Sequence, residues 1–211
     1  MLGILDYKAG NHTSVARALE TLTIPWVISH DADTLRTCSG VIFPGVGAAG
    51  QAMLELKSAG LDMLFRELAQ KKHPLLGICL GSQILLDYSE ENDTPLLGIV
   101  EGECKRFPDG LEEEGDLLPI PHMGWNSLTH LCESRLFANI PKEASFYFVH
   151  SYYTIPPRTL RLCQTHYGID FCSAYGKDGL WGVQFHPEKS GRFGLQILEN
   201  FYRFCEENHA H

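Results

Sequence analysis

Gly77-Ile78-Cys79-Leu80-Gly81 sets a cysteine between two glycines at the end of the apolar run Pro74-Leu75-Leu76-Gly77-Ile78. A short helix is expected to follow, over Ser82-Gln83-Ile84-Leu85-Leu86. A strand that turns sharply into a helix presents its turn residue at the top of a sheet. Flanking glycines leave room for the neighbouring backbone, so the stretch has the mechanics of a nucleophile elbow with sulfur in place of oxygen. A thiol there also faces the positive end of a helix, which favours thiolate, the nucleophilic form. The same residue type equally suits a core position, because unpaired cysteine is among the most buried side chains.

His186-Pro187-Glu188 is the second constellation, after an apolar run ending at Phe185. In extended backbone residues i and i+2 point to one side, so imidazole and carboxylate fall together. Pro187 biases His186 towards that geometry. A carboxylate beside a histidine sets its tautomer and stabilises imidazolium. With Cys79 the pair would form a Cys-His-Glu triad; alone, it reads as a strand-end histidine beside a surface glutamate.

Two other patterns carry less. Gly45-Val46-Gly47-Ala48-Ala49-Gly50 has dinucleotide-binding spacing, but the following strand ends in Ile78-Cys79 and supplies no carboxylate for a ribose. Its Gly-x-Gly backbone is better suited to aiming N–H groups at a developing negative charge. Cys163, His166 and Cys172 are the best metal cluster on offer, yet they fit no zinc spacing and lack a C-x-x-C pair. No metal and no cofactor are expected.

Positioning these residues requires strands alternating with helices. Leu2-Gly3-Ile4-Leu5 reads as a buried strand, with Trp26-Val27-Ile28 and Val41-Ile42-Phe43 as the next two strands and a helix from Asn11 carrying Val15, Leu19 and Leu22. A long helical stretch spans 51–70, with a break at Gly60. This order predicts an α/β fold with parallel strands and helices on both faces. From Leu97 to Phe185 short β-type runs, Leu97-Gly98-Ile99-Val100 among them, predict antiparallel additions. A final helix from Arg192 carries Phe193, Ile197, Phe201 and Phe204 on its core face. One domain over 1–211 is expected.

A formal net charge of -9 argues against nucleic acid or an anionic membrane as partner, because phosphate contacts need a basic surface. No apolar run approaches the ~20 residues of a membrane span. The start, Met1 to Asp6, has neither basic region nor cleavage site, and seven scattered cysteines suit a reducing compartment. A cytoplasmic location is therefore expected. The acidic run Glu112-Glu113-Glu114-Gly115-Asp116 reads as a solvated loop.

Taken together, the motifs resemble the class I glutamine amidotransferase family over nearly the whole chain. They are Asp6-Tyr7-x-x-Gly10-Asn11, Pro44-Gly45-Val46-Gly47, Gly77-Ile78-Cys79-Leu80-Gly81-x-Gln83, Pro121-His122-Met123-Gly124-Trp125-Asn126, Tyr147 to Tyr152 and Gln184 to Ser190. The elbow and His-Pro-Glu are common to the family; the Asp-Tyr and Pro-His-Met-Gly-Trp-Asn motifs point to its glutaminase subunits of histidine biosynthesis. Lys8 and His12 stand where glycine and an apolar residue are usual, and Ser82 where methionine is frequent.

The resemblance implies a flavodoxin-like open mixed sheet, mainly parallel, and glutamine hydrolysis to glutamate and ammonia. It implies Cys79 as nucleophile, His186 as proton carrier and Glu188 as its orienter. It further implies an oxyanion hole from Leu80 and the Val46-Gly47 loop, where a peptide rotation can be needed. Gly47, Gln83, Glu91, His150, Ser151 and Tyr152 match glutamine-holding positions. Asn11, Trp125, Tyr147 and Lys189 match positions near a docked (β/α)8-barrel cyclase subunit, the heterodimer partner that would use the ammonia to make imidazole glycerol phosphate and AICAR. Trp125, a large apolar residue, would also suit the core. Two alternatives stay open: a related subunit serving another synthase, such as one for surface-sugar amidination, and an inactive interaction subunit.

Overall fold

The computed structural model describes residues 1–7, 11–130 and 132–209; Lys8 and Gly10 of the opening motif lie outside the described residues. The first half folds as β1 (Leu2–Leu5), α1 (His12–Thr21), β2 (Trp26–Ser29), α2 (Ala32–Thr37), β3 (Gly40–Gly45), α3 (Ala49–Ser58), α4 (Leu61–Gln70), β4 (Leu75–Cys79) and α5 (Leu80–Ile84). Strands β1, β3 and β4 are buried along their whole length, which explains their unbroken apolar runs. They pair in parallel in the order β2-β1-β3-β4, each link passing through helices as parallel neighbours require. The helical stretch at 51–70 is two helices, α3 and α4, parted by Gly60 at φ 69°.

The second half adds β5 (Tyr88–Ser89), β6 (Thr94–Pro95), β7 (Glu103–Arg106), β8 (Glu112–Glu113), β9 (Asp116–Leu117), β10 (His122–Ser127), β11 (Thr129–His130), β12 (Ser145–His150), β13 (Tyr152–Ile155), β14 (Arg161–Tyr167), β15 (Ile169–Lys177), β16 (Leu180–Val183) and α6 (Gly191–His209). Strand β16 returns to lie parallel beside β4, giving the flavodoxin-like order β2-β1-β3-β4-β16. Beyond it β15, β13 and β7 extend the sheet antiparallel. Strands β10 and β12 form a separate two-stranded ribbon.

Alternate residues of the central strands face opposite layers. Ile42 and Leu76 join a core with Val15 and Leu19 of α1 and Ile197 and Phe201 of α6. Val41, Phe43 and Leu75 join another with Leu35 of α2, Leu56 of α3 and Phe65 of α4. Helices therefore cover both faces.

Two expectations are corrected. Leu97 to Val100 form no strand: the amides of Leu97 and Val100 donate to the carbonyls of Ile84 and Leu85, at 3.0 and 2.9 Å, and cap the end of α5. Gly98, at φ 60°, bends the chain to make that fit. The acidic run is an exposed hairpin, β8 paired with β9, turned by Glu114 and Gly115 at φ 52° and 90°. Two consecutive positive φ values match the turn that suits strand twist.

A methyl group on Gly81 would sit 1.9 Å from the Phe43 carbonyl oxygen, where only backbone could yield. We expect Gly81→Ala to cost about 3 kcal/mol in urea unfolding. Gly110→Ala, at a left-handed position with open space around it, should cost only about 1 kcal/mol. Equal unfolding midpoints for the two variants would contradict the close crossing.

Candidate active site

Cys79 stands at φ 54° and ψ -111°, between β4 and α5. A side chain in that conformation costs on the order of 1–3 kcal/mol and persists only where its surroundings dictate it. Here they do. A Cβ on Gly45 would lie 2.7 Å from the Gly81 amide, and one on Gly77 would lie 2.8 Å from the Gly81 carbonyl. Three glycines thus let the start of α5 press onto the ends of β3 and β4. The Ser82 hydroxyl donates to the Cys79 carbonyl at 2.7 Å, and the Tyr175 hydroxyl donates to the Ser82 carbonyl.

The elbow opens into a cavity of about 320 Å³, lined by Cys79 and His186 together with Val46, Gly47, Leu80, Gln83, Glu91, His150, Ser151 and Tyr152. Glu188 lies behind His186. The two side chains are each 1% exposed, and His186 Nδ1 bonds Glu188 Oε1 at 2.8 Å. Asn11 Nδ2 donates to the same oxygen at 3.4 Å, and the Ser14 hydroxyl donates to Asn11 Oδ1 at 2.8 Å. The other ring nitrogen, His186 Nε2, is buried with no hydrogen-bond partner among the described residues. Burial opposes the imidazolium, but Cys79 and Glu188 outweigh it and raise the His186 pKa to about 10. Cys79 Sγ lies 3.8 Å from the Val149 carbonyl, to which a thiol can donate, and 3.7 Å from Gln184 Nε2.

A second imidazole, His150, lines the same cavity with both of its ring nitrogens hydrogen-bonded. His150 Nδ1 lies 2.8 Å from the Tyr152 carbonyl, which can only accept, so Nδ1 carries the proton. His150 Nε2 must then accept from His122 Nδ1 at 3.0 Å, and His122 Nε2 from Asn126 Nδ2 at 3.3 Å. Burial lowers the pKa of His122 to about 4 and that of His150 to about 3, which keeps both rings neutral.

Opposite the elbow, Gly47 takes φ 93° and Val46 stands 40% exposed at the mouth. Burial, reinforced by Cys79, raises the Tyr7 pKa, and the neighbouring Val46 amide opposes this. Glu91 Oε2 accepts from the Ala49 amide at 2.6 Å, where the start of α3 favours negative charge.

Of the four residues expected near a partner, three gather. Trp125 and Tyr147, cross-strand neighbours in the ribbon, have ring centroids 6.2 Å apart. Lys189 Nζ is 5.9 Å from the Tyr147 ring. Trp125 is 60% exposed, which overturns a core role for it, and Met123 two residues earlier is 61% exposed. The ribbon alternates, so His122 and Asn126 turn inward where Met123 and Trp125 turn outward. Asn11 joins Glu188 instead. Of the three residues weighed as a metal cluster, Cys163 and Cys172 are buried, whereas His166 is exposed and bonds Asp170 at 2.7 Å.

Sequence pattern alone gives Gln184, His122, Asn126 and Tyr7 no separate role. Inward alternation in Pro121-His122-Met123-Gly124-Trp125-Asn126 is the one signal that could have marked His122 and Asn126.

The sequence matches the profile described as "Glutamine amidotransferase class-I" over residues 3–204. It is 58% identical over 208 residues to the imidazole glycerol phosphate synthase subunit HisH of Maridesulfovibrio salexigens, covering 98% of each chain. The subunit of the same name from Nitratidesulfovibrio vulgaris is 56% identical, again with 98% of each covered. A solved structure described as a glutamine amidotransferase superposes with TM-score 0.70 at 18% identity, covering 97% of this chain and 98% of that one; at this identity the likeness is one of fold.

The histidines give pH dependence of opposite signs. Unfolded imidazoles take up protons below ~6.5, which folded His122 and His150 resist until about 4 and 3. Their contribution is therefore complete above pH 6.5 and lost as pH falls through that window. His186, with its pKa raised, contributes below pH 6.5 and loses that contribution as pH rises towards about 10. We expect urea midpoints to fall between pH 6.5 and 4. His122→Asn keeps a donor for His150 but cannot titrate, so its midpoint should fall less steeply; identical slopes would contradict the buried neutral pair.

Proposed function

The chain belongs to the class I glutamine amidotransferase family, enzymes that hydrolyse glutamine, and on that premise we propose that Cys79, His186 and Glu188 carry out the hydrolysis. One observation carries this assignment: His186 Nδ1 is committed to a buried Glu188, while Nε2 is left without a partner in the cavity that Cys79 lines.

The proton that Cys79 gives up is held on His186 Nε2, and the sulfur bonds to the side-chain amide carbon of glutamine. The carbonyl π pair moves onto oxygen, which is met by the Leu80 amide, the first of α5 and so without a partner inside that helix. A second amide comes from the Val46-Gly47 loop. Collapse breaks the C–N bond as His186 protonates the departing nitrogen, which leaves as ammonia. Water, deprotonated by His186, then attacks the thioester and releases glutamate and the thiol. Glu188 keeps Nδ1 protonated and offsets the imidazolium charge throughout. Gly47, Gln83, Glu91, His150, Ser151 and Tyr152 would hold glutamine, a role supported by their place on the cavity wall.

The relatives' names, together with the exposed Met123-Trp125 face, support a second subunit docked over the ribbon. We assign that subunit as a (β/α)8-barrel cyclase that takes the ammonia and makes imidazole glycerol phosphate and AICAR in histidine biosynthesis. The 1–211 chain acts as its glutaminase domain, in the cytoplasm. The names of relatives at 56–58% identity favour this acceptor over one for surface-sugar amidination.

Cys79→Ala should abolish glutamine hydrolysis measured with the cyclase subunit present. Glu188→Gln, which leaves a neutral partner for Nδ1, should lower kcat by on the order of 10²–10⁴ with little change in KM. Retained turnover in Cys79→Ala would remove the nucleophile assignment. Trp125→Ala should weaken binding to the cyclase by roughly 30-fold in titration calorimetry, as loss of a central aromatic anchor does.

A further inference from the structure

Gln184 follows the end of β16 on the way to His186, is 1% exposed, and has its amide nitrogen 3.7 Å from the Cys79 sulfur. Which end of that amide faces the sulfur follows from a chain of obligatory donors. The Tyr152 carbonyl accepts from His150 Nδ1 at 2.8 Å and from Gln83 Nε2 at 3.0 Å, filling both its lone pairs. A carbonyl cannot donate, so the end of the Gln83 amide that faces it must be nitrogen. The same nitrogen reaches the Gln184 carbonyl oxygen at 3.0 Å with its other proton. Gln184 therefore has its NH2 group towards Cys79. Turning the Gln184 amide over would set two NH2 groups against each other and a carbonyl oxygen against the sulfur.

We propose that Gln184 is a catalytic residue that donates a hydrogen bond to the Cys79 thiolate, its donor end fixed through Gln83 by the Tyr152 carbonyl. The inference rests on Cys79 being the nucleophile. With the thiol proton on His186, the negative charge on sulfur meets a dipole already aimed at it in a buried site. Such preorganisation involves no rearrangement at the moment of reaction. When the thioester is hydrolysed the sulfur leaves as thiolate, and the same N–H assists its departure. Gln83 acts on the sulfur only through Gln184, so in this respect it is a positioning residue.

Gln184→Glu separates the two functions of the side chain. It keeps an oxygen acceptor for Gln83 and replaces the donor at sulfur by oxygen. Gln184→Met keeps length and apolar bulk and removes both bonds. The measurement is iodoacetamide alkylation of Cys79 in the intact chain, followed by mass spectrometry of the Cys79 peptide, with exposed Cys132 as internal reference. A hydrogen bond to a charged group is worth enough to predict a roughly 10-fold or greater slowing at neutral pH in both variants. The pH profile of alkylation should move to more alkaline values, with Cys132 unchanged. Folded variants with the alkylation rate and profile of the unaltered protein would overturn the proposal. If neither variant folds, NMR of the unaltered protein decides: the Gln184 side-chain amide resonances must move when Cys79 is alkylated, and unmoved resonances overturn it. Alkylation requires no turnover, so failure here is distinct from retained hydrolysis in Cys79→Ala.

Discussion

The close crossing of α5 over the ends of β3 and β4 is the constraint from which the site follows. Gly45, Gly77 and Gly81 allow backbone to approach backbone at distances no side chain would tolerate. That approach forces Cys79 into the left-handed half of φ space and turns its thiol out of the sheet. Everything else in the cavity is arranged around a sulfur whose position is set by packed backbone rather than by its own contacts. The strain at one residue is sustained by two apolar cores, one on each face of the strands that carry it.

Around this fixed sulfur the chain places two imidazoles and gives them opposite electrostatics. His186 shares its burial with a carboxylate and the cysteine, so charge on the ring is matched. His150 shares its burial with another imidazole and a carbonyl, so charge on that ring has nothing to meet. Both are buried histidines in one cavity wall, yet only the first has a nitrogen left open. The partners, not the residue type, decide which ring is favoured in its charged form.

The β10-β12 ribbon joins an outer surface to this interior. Its outward side chains make an exposed apolar face, and its inward ones begin the hydrogen-bond chain from Asn126 through His122 and His150 to the Tyr152 carbonyl. The same carbonyl receives Gln83, which bonds Gln184 beside the sulfur. Surface and site are thus connected by groups whose orientations depend on one another, because each acceptor in the series dictates the next donor.

By itself the sequence determined the local features. Gly-x-Cys-x-Gly after an apolar run implies the elbow; His186 and Glu188 pair as their spacing suggests, but through a turn of 3-10 helix over Pro187–Lys189 and not through extended backbone. Unbroken apolar runs with helices between them imply parallel strands covered on both faces. These follow from short-range sterics and from residue periodicity, so they need no knowledge of distant contacts. Tertiary structure alone decided what depends on long-range pairing. Only packing brings Leu97 to Val100 onto the end of α5, so an apolar run became a cap instead of a strand. Only strand pairing turns Trp125 outward and His122 inward. Asn11 meets Glu188 across 177 residues, and Gln184 meets Cys79 across 105. A hydrogen bond between residues so far apart leaves no periodic trace in the chain, because it depends on where two elements end in space and not on what lies next to either residue.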